Sequence, residues 1–187
     1  MTIGRLEFFS VVRNVICGGK ISQQQVEGFE TLLGEYEKRN ELSTEMFPKA
    51  MFAYMLATTW HETARTMQPV AEYGKGTGYA YGLPDLVTGH SYYGRGYVQL
   101  TWKKNYEKVS TELNVNFIDY PDNAMQPHHA VRILFDGMLQ GWFTGKKLKN
   151  YFNERNVDYF NARKIINALD RAAQIAAYAA AFREALG

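Results

Sequence analysis

An almost uninterrupted apolar segment constrains this chain more than any other feature of its sequence. Apolar residues between Met51 and Trp60 would lie on nearly every side of a helix that begins near Thr44 to Pro48, where proline is tolerated in the first turn. A helix that is apolar all round is buried inside a domain. The sequence therefore predicts a central buried helix that carries Glu62 at or near its C-terminal end.

The other apolar residues recur mainly at helical spacing. A first helix is predicted from Arg5 to Ile16, and Ser22 with Gln25 forms a capping-box pattern at the start of a second helix. This second helix is expected to end in the charged run 37–41. Later helices are predicted over 102–113 after Thr101, over 128–139, over 158–166 after Asp158, and over 171–186 after Asp170.

A long segment without helical periodicity follows the central helix. Residues 67–91 contain five glycines, two prolines and three tyrosines, which indicates an irregular loop with a short hairpin, and 97–100 is predicted to be a short strand. Loops of this length in compact domains are usually functional. We find no repeat or linker, so residues 1–187 are expected to form one mainly helical domain in which this loop lines a cleft.

The composition argues against several classes of protein. The net charge is +2, which gives no reason to expect a nucleic-acid partner. A single cysteine, Cys17, cannot form an intramolecular disulfide and is interpreted as a small core residue. No apolar run approaches the roughly 20 residues that span a bilayer, so stable membrane insertion is not expected. Met1 to Ile16 mixes charged and apolar residues, unlike a secretory signal.

Two glutamates carry the most informative chemistry. Glu62 is predicted at the end of the buried helix beside Trp60, and Glu72 lies in the glycine-rich loop. Hydrolysis of a glycosidic bond needs one carboxyl group that protonates the leaving oxygen and a second that acts as nucleophile or base. Carboxyl groups in such contrasting environments can divide these two roles. The alternative is that both are solvated surface carboxylates.

Other catalytic patterns are incomplete. His61 and Glu62 begin the zinc motif His-Glu-x-x-His, but its second histidine is replaced by Arg65. His128 and His129 are neighbours on a predicted helix and are expected to face different sides, so no metal site is predicted. A phosphate-binding loop and a Gly-x-Ser-x-Gly elbow are also missing from the sequence.

Four sequence motifs can be considered together: Trp-His-Glu-Thr at 60–63, Glu72, Tyr-Gly-Arg-Gly-Tyr-Val-Gln-Leu-Thr at 93–101 and Ile-Ile-Asn at 165–167. Their combination resembles glycoside hydrolase family 19, the chitinase family with a lysozyme-like helical fold. Residues 21–29 and 55–63 look more like the bacteriophage endolysin branch of that family. The resemblance implies a mainly α, lysozyme-like domain in which a long loop and a short β-hairpin line the substrate cleft.

The resemblance also implies roles for individual residues. Glu62 corresponds to the general acid and Glu72 to the general base, with Thr101 helping to hold the attacking water. Arg95 is expected to be an electrostatic partner or, as we favour, a structural anchor, and Arg171 is the candidate for the arginine beside the acid. The positions that match substrate-binding residues are Tyr93, Gln99, Asn105 and Asn167. Family members invert the configuration of the sugar and need no cofactor or metal.

The function expected from this resemblance is that of an endolysin, which hydrolyses β-1,4 bonds of the peptidoglycan glycan strand for host cell lysis. Such an enzyme is made in the host bacterial cytoplasm without a signal peptide. It acts on the wall in the periplasm once a separate membrane-permeabilising protein has opened the way. We expect a monomer without a separate wall-binding module. The alternatives are a chitinase, a non-catalytic sugar-binding or inhibitor protein, and a metal-dependent amidase.

Overall fold

The computed structural model describes residues 2–187, which form six α-helices and two small antiparallel sheets. The helices are α1 (Arg5–Val11), α2 (Gln23–Leu42), α3 (Lys49–Glu62), α4 (Lys103–Leu113), α5 (Pro127–Gln140) and α6 (Ala172–Ala185). The strands are β1 (Val70–Ala71), paired with β2 (Arg95–Gly96), and β3 (Phe152–Asn153), paired with β4 (Asn156–Val157). The prediction of a mainly helical fold is confirmed.

Helix α3 is the centre of the fold. Every residue from 51 to 60 is buried, and α6 packs along α3 more extensively than any other helix does. The ring of Trp60 lies in this core, stacked on Phe29 of α2 and edge-on to Phe182 of α6, each with 6.3 Å between ring centroids. The last residue of the helix is Glu62, so the predicted central helix and its terminal glutamate are confirmed.

Helix α2 begins as predicted but ends later. The side chain of Ser22 accepts a hydrogen bond from the backbone N–H of Gln25, and the side chain of Gln25 accepts one from Ser22, which completes the capping box. The expected end within 37–41 is wrong, because the helix continues to Leu42. Two charged residues of this run, Glu37 and Arg39, have partners on other elements. Glu37, for example, binds Arg5 at 2.7 Å.

The first predicted helix begins as an α-helix and ends as a π-helical turn. Helix α1 ends at Val11, and residues Val12–Ile16 continue as a π-helical turn.

The predicted caps of two later helices differ from the structure. Asp170 does not cap the last helix, because Arg171, in the left-handed region at φ 58°, precedes Ala172. Asp158 does accept a hydrogen bond from the backbone of Asn161, but the helix that it begins is a short 3-10 helix that ends at Ile165.

The cleft region departs furthest from regular structure. The predicted strand 97–100 is mostly a turn, and the strand of this segment is β2, two residues earlier. Thr101 does not cap α4. Trp102 stands at that position with φ 72°, and the Thr101 hydroxyl instead donates to the carbonyl of Gln99 at 2.7 Å. A left-handed backbone at a residue other than glycine costs about 1–3 kcal/mol and often marks a functional site.

Neither a membrane span nor a metal-binding cluster occurs in the described part of the chain. Within residues 2–187, the helices are all too short or too polar to cross a membrane. The same residues hold no cluster of three or more His, Cys, Asp or Glu side chains that could bind a metal ion. The rings of His128 and His129 nevertheless lie with centroids 3.9 Å apart, so the expectation that they face different sides is wrong.

Candidate active site

A polar cleft of about 380 Å³ opens at the C-terminal end of α3. Its walls come from that helix end, from the β1–β2 region, from the start of α4 and from the segment before α6. It brings together six of the seven predicted site residues: Glu62, Glu72, Gln99, Thr101, Asn105 and Asn167. Residues separated by more than 100 positions in the sequence therefore face one space.

Glu62 is held by an arginine that the sequence reading did not identify. Nη1 of Arg163 donates to Oε1 of Glu62 at 2.6 Å, and the exposed fractions of the two side chains are 3% and 14%. Nε of Arg163 donates to the carbonyl of Asp170 at 3.0 Å, which fixes the guanidinium plane. Among the described residues nothing donates to Oε2 of Glu62, so this oxygen can face a substrate in the cleft.

The candidate Arg171 is therefore replaced by Arg163. Arg171 is exposed and occupies the position just before α6, whereas Arg163 lies inside the 3-10 helix Asn161–Ile165 and lines the cleft. Arg163 could have been found from the sequence, because it stands only four residues before Asn167, which was already predicted to be a site residue. The apolar surroundings expected for Glu62 are also wrong at the carboxyl group itself, because Trp60 packs into the core and an arginine takes the position beside the acid.

Glu72 is held by two neutral donors. It follows β1 directly, and its backbone N–H donates to the carbonyl of Gly94 at 2.8 Å, which extends the pairing with β2. Its Oε2 accepts the N–H of Gly94 and its Oε1 accepts the hydroxyl of Tyr81, both at 3.0 Å. Each carboxylate oxygen keeps a further lone pair that can accept a proton from water.

Gln99 and Thr101 form the floor between the strands and α4. The Gln99 amide donates to the carbonyls of Val70 and Gly96, at 3.1 and 3.3 Å, and so ties the two strands together. Because the Thr101 hydroxyl donates its proton to Gln99, its oxygen is left as an acceptor for a water in the cleft. A side chain at position 94 would clash, since an added Cβ would lie 2.6 Å from Oε1 of Gln99.

Two asparagines also line the cleft, Asn105 and Asn167. Nδ2 of Asn105, in the first turn of α4, donates to the carbonyl of Thr101 at 2.7 Å. Oδ1 of Asn167 accepts the N–H of Ala168, and within residues 2–187 its side-chain amino group has no acceptor, so it can donate into the cleft. Asn105 therefore supports Thr101, whereas Asn167 offers donors to a ligand.

Tyr93 lies outside the residues that line the cleft. Its ring packs under the guanidinium of Arg95 at 3.6 Å and its carbonyl accepts the hydroxyl of Tyr106 at 2.8 Å. Arg95 is 4% exposed, donates to Asp122 at 2.7 Å and also bonds the carbonyl of Ser91. This pair anchors the loop behind β2, which is the structural role that we favoured for Arg95.

Two aromatic residues of the cleft were missed by the sequence reading. Tyr81 contacts Glu72, and Trp102 presents a ring that is 48% exposed. Burial, with the hydrogen bond to Glu72 as a smaller effect, raises the pKa of Tyr81 to about 12. Burial also lowers the pKa of His61, next to Glu62, so that this imidazole adds no charge beside the acid at neutral pH.

A larger cavity of about 880 Å³ lies elsewhere and is mainly apolar. Two glutamates line it, Glu45 and Glu154, and both are exposed. Glu45 makes a loose ion pair of 3.7 Å with Lys149, whose side chain is 73% exposed. Carboxylates held so weakly do not form a preorganised acid–base pair, so the smaller polar cleft is the candidate active site.

Comparison with known structures identifies a shared fold. No curated protein matches the sequence. The structure of chitinase C from Streptomyces griseus HUT6037 aligns with a TM-score of 0.64 at 19% identity, over 99% of this chain and 76% of that one, which shows a shared fold. The structure of a bacterial family 19 chitinase aligns with a TM-score of 0.44 at 15% identity, over 96% of this chain and 95% of that one.

The match to a protein family is more direct. A family model for glycoside hydrolase family 19, described as class I chitinase, matches residues 44–174, which is more than half of the chain. That range contains both glutamates, Thr101, Arg163 and the whole polar cleft. The predicted mainly α, lysozyme-like fold is confirmed, and this chain belongs to glycoside hydrolase family 19.

Proposed function

We propose that this glycoside hydrolase is an endolysin that cleaves β-1,4 bonds of the peptidoglycan glycan strand by an inverting acid–base mechanism. The observation that carries the proposal is the pair Glu62 and Glu72 in one cleft, each held by different partners. Glu62 has a charged partner on one oxygen, and no residue between 2 and 187 donates to the other. Glu72 is oriented by two neutral donors, the hydroxyl of Tyr81 and the N–H of Gly94, in the position proposed for the base.

The mechanism uses both glutamates in one step. Glu62, protonated on Oε2, donates this proton to the glycosidic oxygen as the bond from that oxygen to the anomeric carbon breaks. A water molecule attacks the anomeric carbon from the opposite face and gives a proton to Glu72. The other hydrogen of this water makes a hydrogen bond to the Thr101 oxygen. This bond orients the lone pair of the water towards the anomeric carbon. Such an arrangement inverts the configuration, and it needs carboxyl groups about 6.5–9.5 Å apart.

Arg163 supports this mechanism after the proton has left. Once Glu62 has given up its proton, the carboxylate is stabilised by the guanidinium already bonded to Oε1. A charge-assisted hydrogen bond of this kind is stronger than one between neutral groups. Asn167 can donate to the sugar on the same wall of the cleft, because its amino group has no acceptor in the described part of the chain.

Two features favour peptidoglycan as the substrate. Residues 21–29 and 55–63 resemble the endolysin branch, and these two segments contact each other through the core, where Phe29 stacks on Trp60. The net charge of +2 also gives a weak attraction to an anionic wall polymer, which the uncharged polymer chitin would not feel. On this proposal the enzyme is made in the host cytoplasm and reaches the periplasmic wall as a monomer. A separate membrane-permeabilising protein gives it access.

Chitin is the second candidate substrate. The matching family model is described as class I chitinase, and the protein from Streptomyces griseus that shares the fold carries the name chitinase C. Chitin shares the β-1,4 linkage between amino sugars, so the same acid–base pair would cleave it. The two candidates differ in what the outer parts of the cleft must accommodate, since peptidoglycan carries peptides on alternate sugars.

The test compares both polymers with the same enzyme preparations. Wild type, Glu62→Gln and Glu72→Gln are incubated with purified Gram-negative peptidoglycan and with chitin, and new reducing ends are measured. We expect release from peptidoglycan to exceed release from chitin, and both variants to lose about 10²–10⁴-fold in rate. Polarimetry or NMR of the first product is expected to show the inverted anomer.

The controls separate the alternatives. Circular dichroism and thermal unfolding establish that the variants fold like wild type. Clearing of outer-membrane-stripped cells without new reducing ends would indicate cleavage of an amide bond and contradict the proposal. Release from chitin alone would assign the chitinase function. Binding to the wall without cleavage, unaffected by Glu62→Gln, would indicate a sugar-binding protein.

A further inference from the structure

The carboxylate of Glu72 depends on one aromatic side chain for its orientation. Within residues 2–187, it receives the backbone N–H of Gly94 on Oε2 and the hydroxyl of Tyr81 on Oε1, and no lysine or arginine pairs with it. One donor on each oxygen prevents the carboxylate from rotating about its terminal bond. Tyr81 supplies the side-chain half of this arrangement.

Tyr81 is itself fixed by its surroundings. Its ring is stacked on Tyr79, with centroids 5.2 Å apart and an interplanar angle of 4°, and Trp102 meets it edge-on at 5.2 Å. Its carbonyl accepts the N–H of Tyr92 at 3.0 Å, which ties the turn to the segment before β2. The hydroxyl is therefore presented to Glu72 by a rigid ring.

The turn that carries Tyr81 depends on a close backbone approach. Tyr81 is the central residue of the 3-10 turn Ala80–Gly82. A Cβ added at Gly82 would lie 2.1 Å from the carbonyl oxygen of Gly76, so the two chain segments touch through their backbones. This contact fixes the distance between the turn and the strand end from which Glu72 projects.

The Tyr81 hydroxyl remains a hydrogen-bond donor under working conditions. Burial, together with the hydrogen bond to Glu72, raises the pKa of Tyr81 to about 12. A phenol that stays protonated donates a hydrogen bond to the carboxyl group and carries no charge of its own. It therefore orients Glu72 without adding a cation that would weaken it as a base.

We infer that Tyr81 is a positioning residue, which holds the carboxylate of Glu72 in the orientation that accepts a proton from the attacking water. Tyr81 acts through Glu72 and does not itself exchange a proton in the reaction. The inference rests on the proposed function, because it gives Tyr81 a purpose only if Glu72 is a base. Catalytic groups must be held within fractions of an ångström by neighbours of this kind.

The test compares two tyrosines of the same stack. Tyr81→Phe removes the hydroxyl on Glu72 and keeps the ring, whereas Tyr79→Phe removes a hydroxyl that bonds no described residue and serves as the matched control. Both are measured on soluble glycan strands prepared from peptidoglycan and on soluble chitin oligosaccharides, with kcat and KM determined separately. We expect Tyr81→Phe to lose about 10- to 100-fold in kcat, with KM within about 3-fold of wild type. Tyr79→Phe is expected to keep the kcat of wild type.

The possible results have distinct meanings. If wild type is active and Tyr81→Phe keeps the kcat of wild type, as Tyr79→Phe does, the positioning role is overturned while the proposed function stands. A rise in KM at unchanged kcat for Tyr81→Phe would also overturn it, because the hydroxyl would then serve sugar binding. A wild type that is inactive on both substrates would overturn the proposed function and this inference with it. Equal melting temperatures of the two variants ensure that a loss in kcat reports orientation rather than unfolding.

Discussion

Arg163 bonds Glu62 across 101 positions of sequence, at a distance of 2.6 Å from Nη1 to Oε1. The arginine is almost completely buried, and its second contact, to the carbonyl of Asp170, uses a different nitrogen of the same plane. A planar guanidinium presents two separate nitrogens to these partners in a fixed geometry, whereas a lysine ammonium is a single nitrogen on a flexible stem. The orientation of the proposed acid therefore depends on a side chain that is distant in the sequence but adjacent in the fold.

Replacing this arginine is expected to affect both activity and stability. Arg163→Lys keeps the charge but presents a single nitrogen on a flexible stem to Glu62 and Asp170, so we expect kcat to fall by about 10²-fold. Arg163→Ala leaves Glu62 without its partner and is expected to lower the free energy of unfolding by about 3–5 kcal/mol. Rates on glycan strands and urea unfolding measure the two effects. Arg171→Lys is the control, and an equal loss there would restore Arg171 as the arginine beside the acid.

The hydroxyl of Thr101 is predicted to act as an acceptor for the attacking water. Thr101→Val keeps the shape of the side chain and removes this oxygen, so we expect kcat to fall by about 10- to 100-fold with little change in KM. Thr101→Ser keeps the hydroxyl and is expected to stay within about 3-fold of wild type. Steady-state rates on soluble glycan strands provide the measurement. Similar activity of the Val and Ser variants would show that the oxygen has no part in catalysis.

Trp102 presents an exposed aromatic ring in a cleft that contains few other exposed rings. Sugar rings pack their apolar faces on aromatic side chains, and loss of such a contact is worth about 0.5–1.5 kcal/mol. We therefore expect Trp102→Ala to raise KM by about 2- to 13-fold, with kcat less affected. Trp102→Phe keeps an aromatic face and should recover most of the affinity. A variant that lost kcat at unchanged KM would indicate that Trp102 acts through Tyr81, which its ring contacts.

The sequence was sufficient for the parts of the fold that depend on local periodicity. The apolar segment 51–60 is continuous, so its burial and the place of Glu62 at its end could be read directly. The capping box of α2 is a local pattern and was also predicted. By contrast, α2 continues through its charged run because Glu37 finds a partner on α1 and Arg39 one on α5. The helix propensities of residues 37–41 give no information about such partners on other helices.

The site was predictable to the extent that motifs name its residues. Six predicted residues share the cleft, but the arginine beside Glu62 was misplaced because residue spacing does not reveal which side chain is buried. Tyr81 was missed for a similar reason, since it lies in a loop rich in glycine and tyrosine where nothing distinguishes it from Tyr79. The positive φ of Trp102 comes from the way in which the loop joins α4, a tertiary property.

The N-terminal helix is attached to α2 by a charge network that should respond to pH. Arg5 donates to both oxygens of Glu37, at 2.7 and 2.8 Å, and the backbone N–H of Ile3 also donates to this carboxylate at 2.7 Å. The hydrogen bond from Arg5, followed by the one from Ile3, lowers the pKa of Glu37 from its ordinary value of 4.5, against an opposing effect of burial. The folded protein therefore prefers the ionised form of this residue.

Stability that depends on Glu37 should be lost in acid. A carboxyl group whose pKa is lower in the folded state stabilises the fold above its unfolded pKa, and this contribution disappears as pH falls through the folded value. We expect Arg5→Met to lower the free energy of unfolding by about 1 kcal/mol at pH 7, and this difference should shrink at pH values below 4.5. Urea unfolding between pH 3 and 7 provides the measurement. Glu30→Gln, which removes the more exposed partner of Arg5, should show little change, whereas an undiminished effect of Arg5→Met at low pH would mean that packing, not charge, attaches α1.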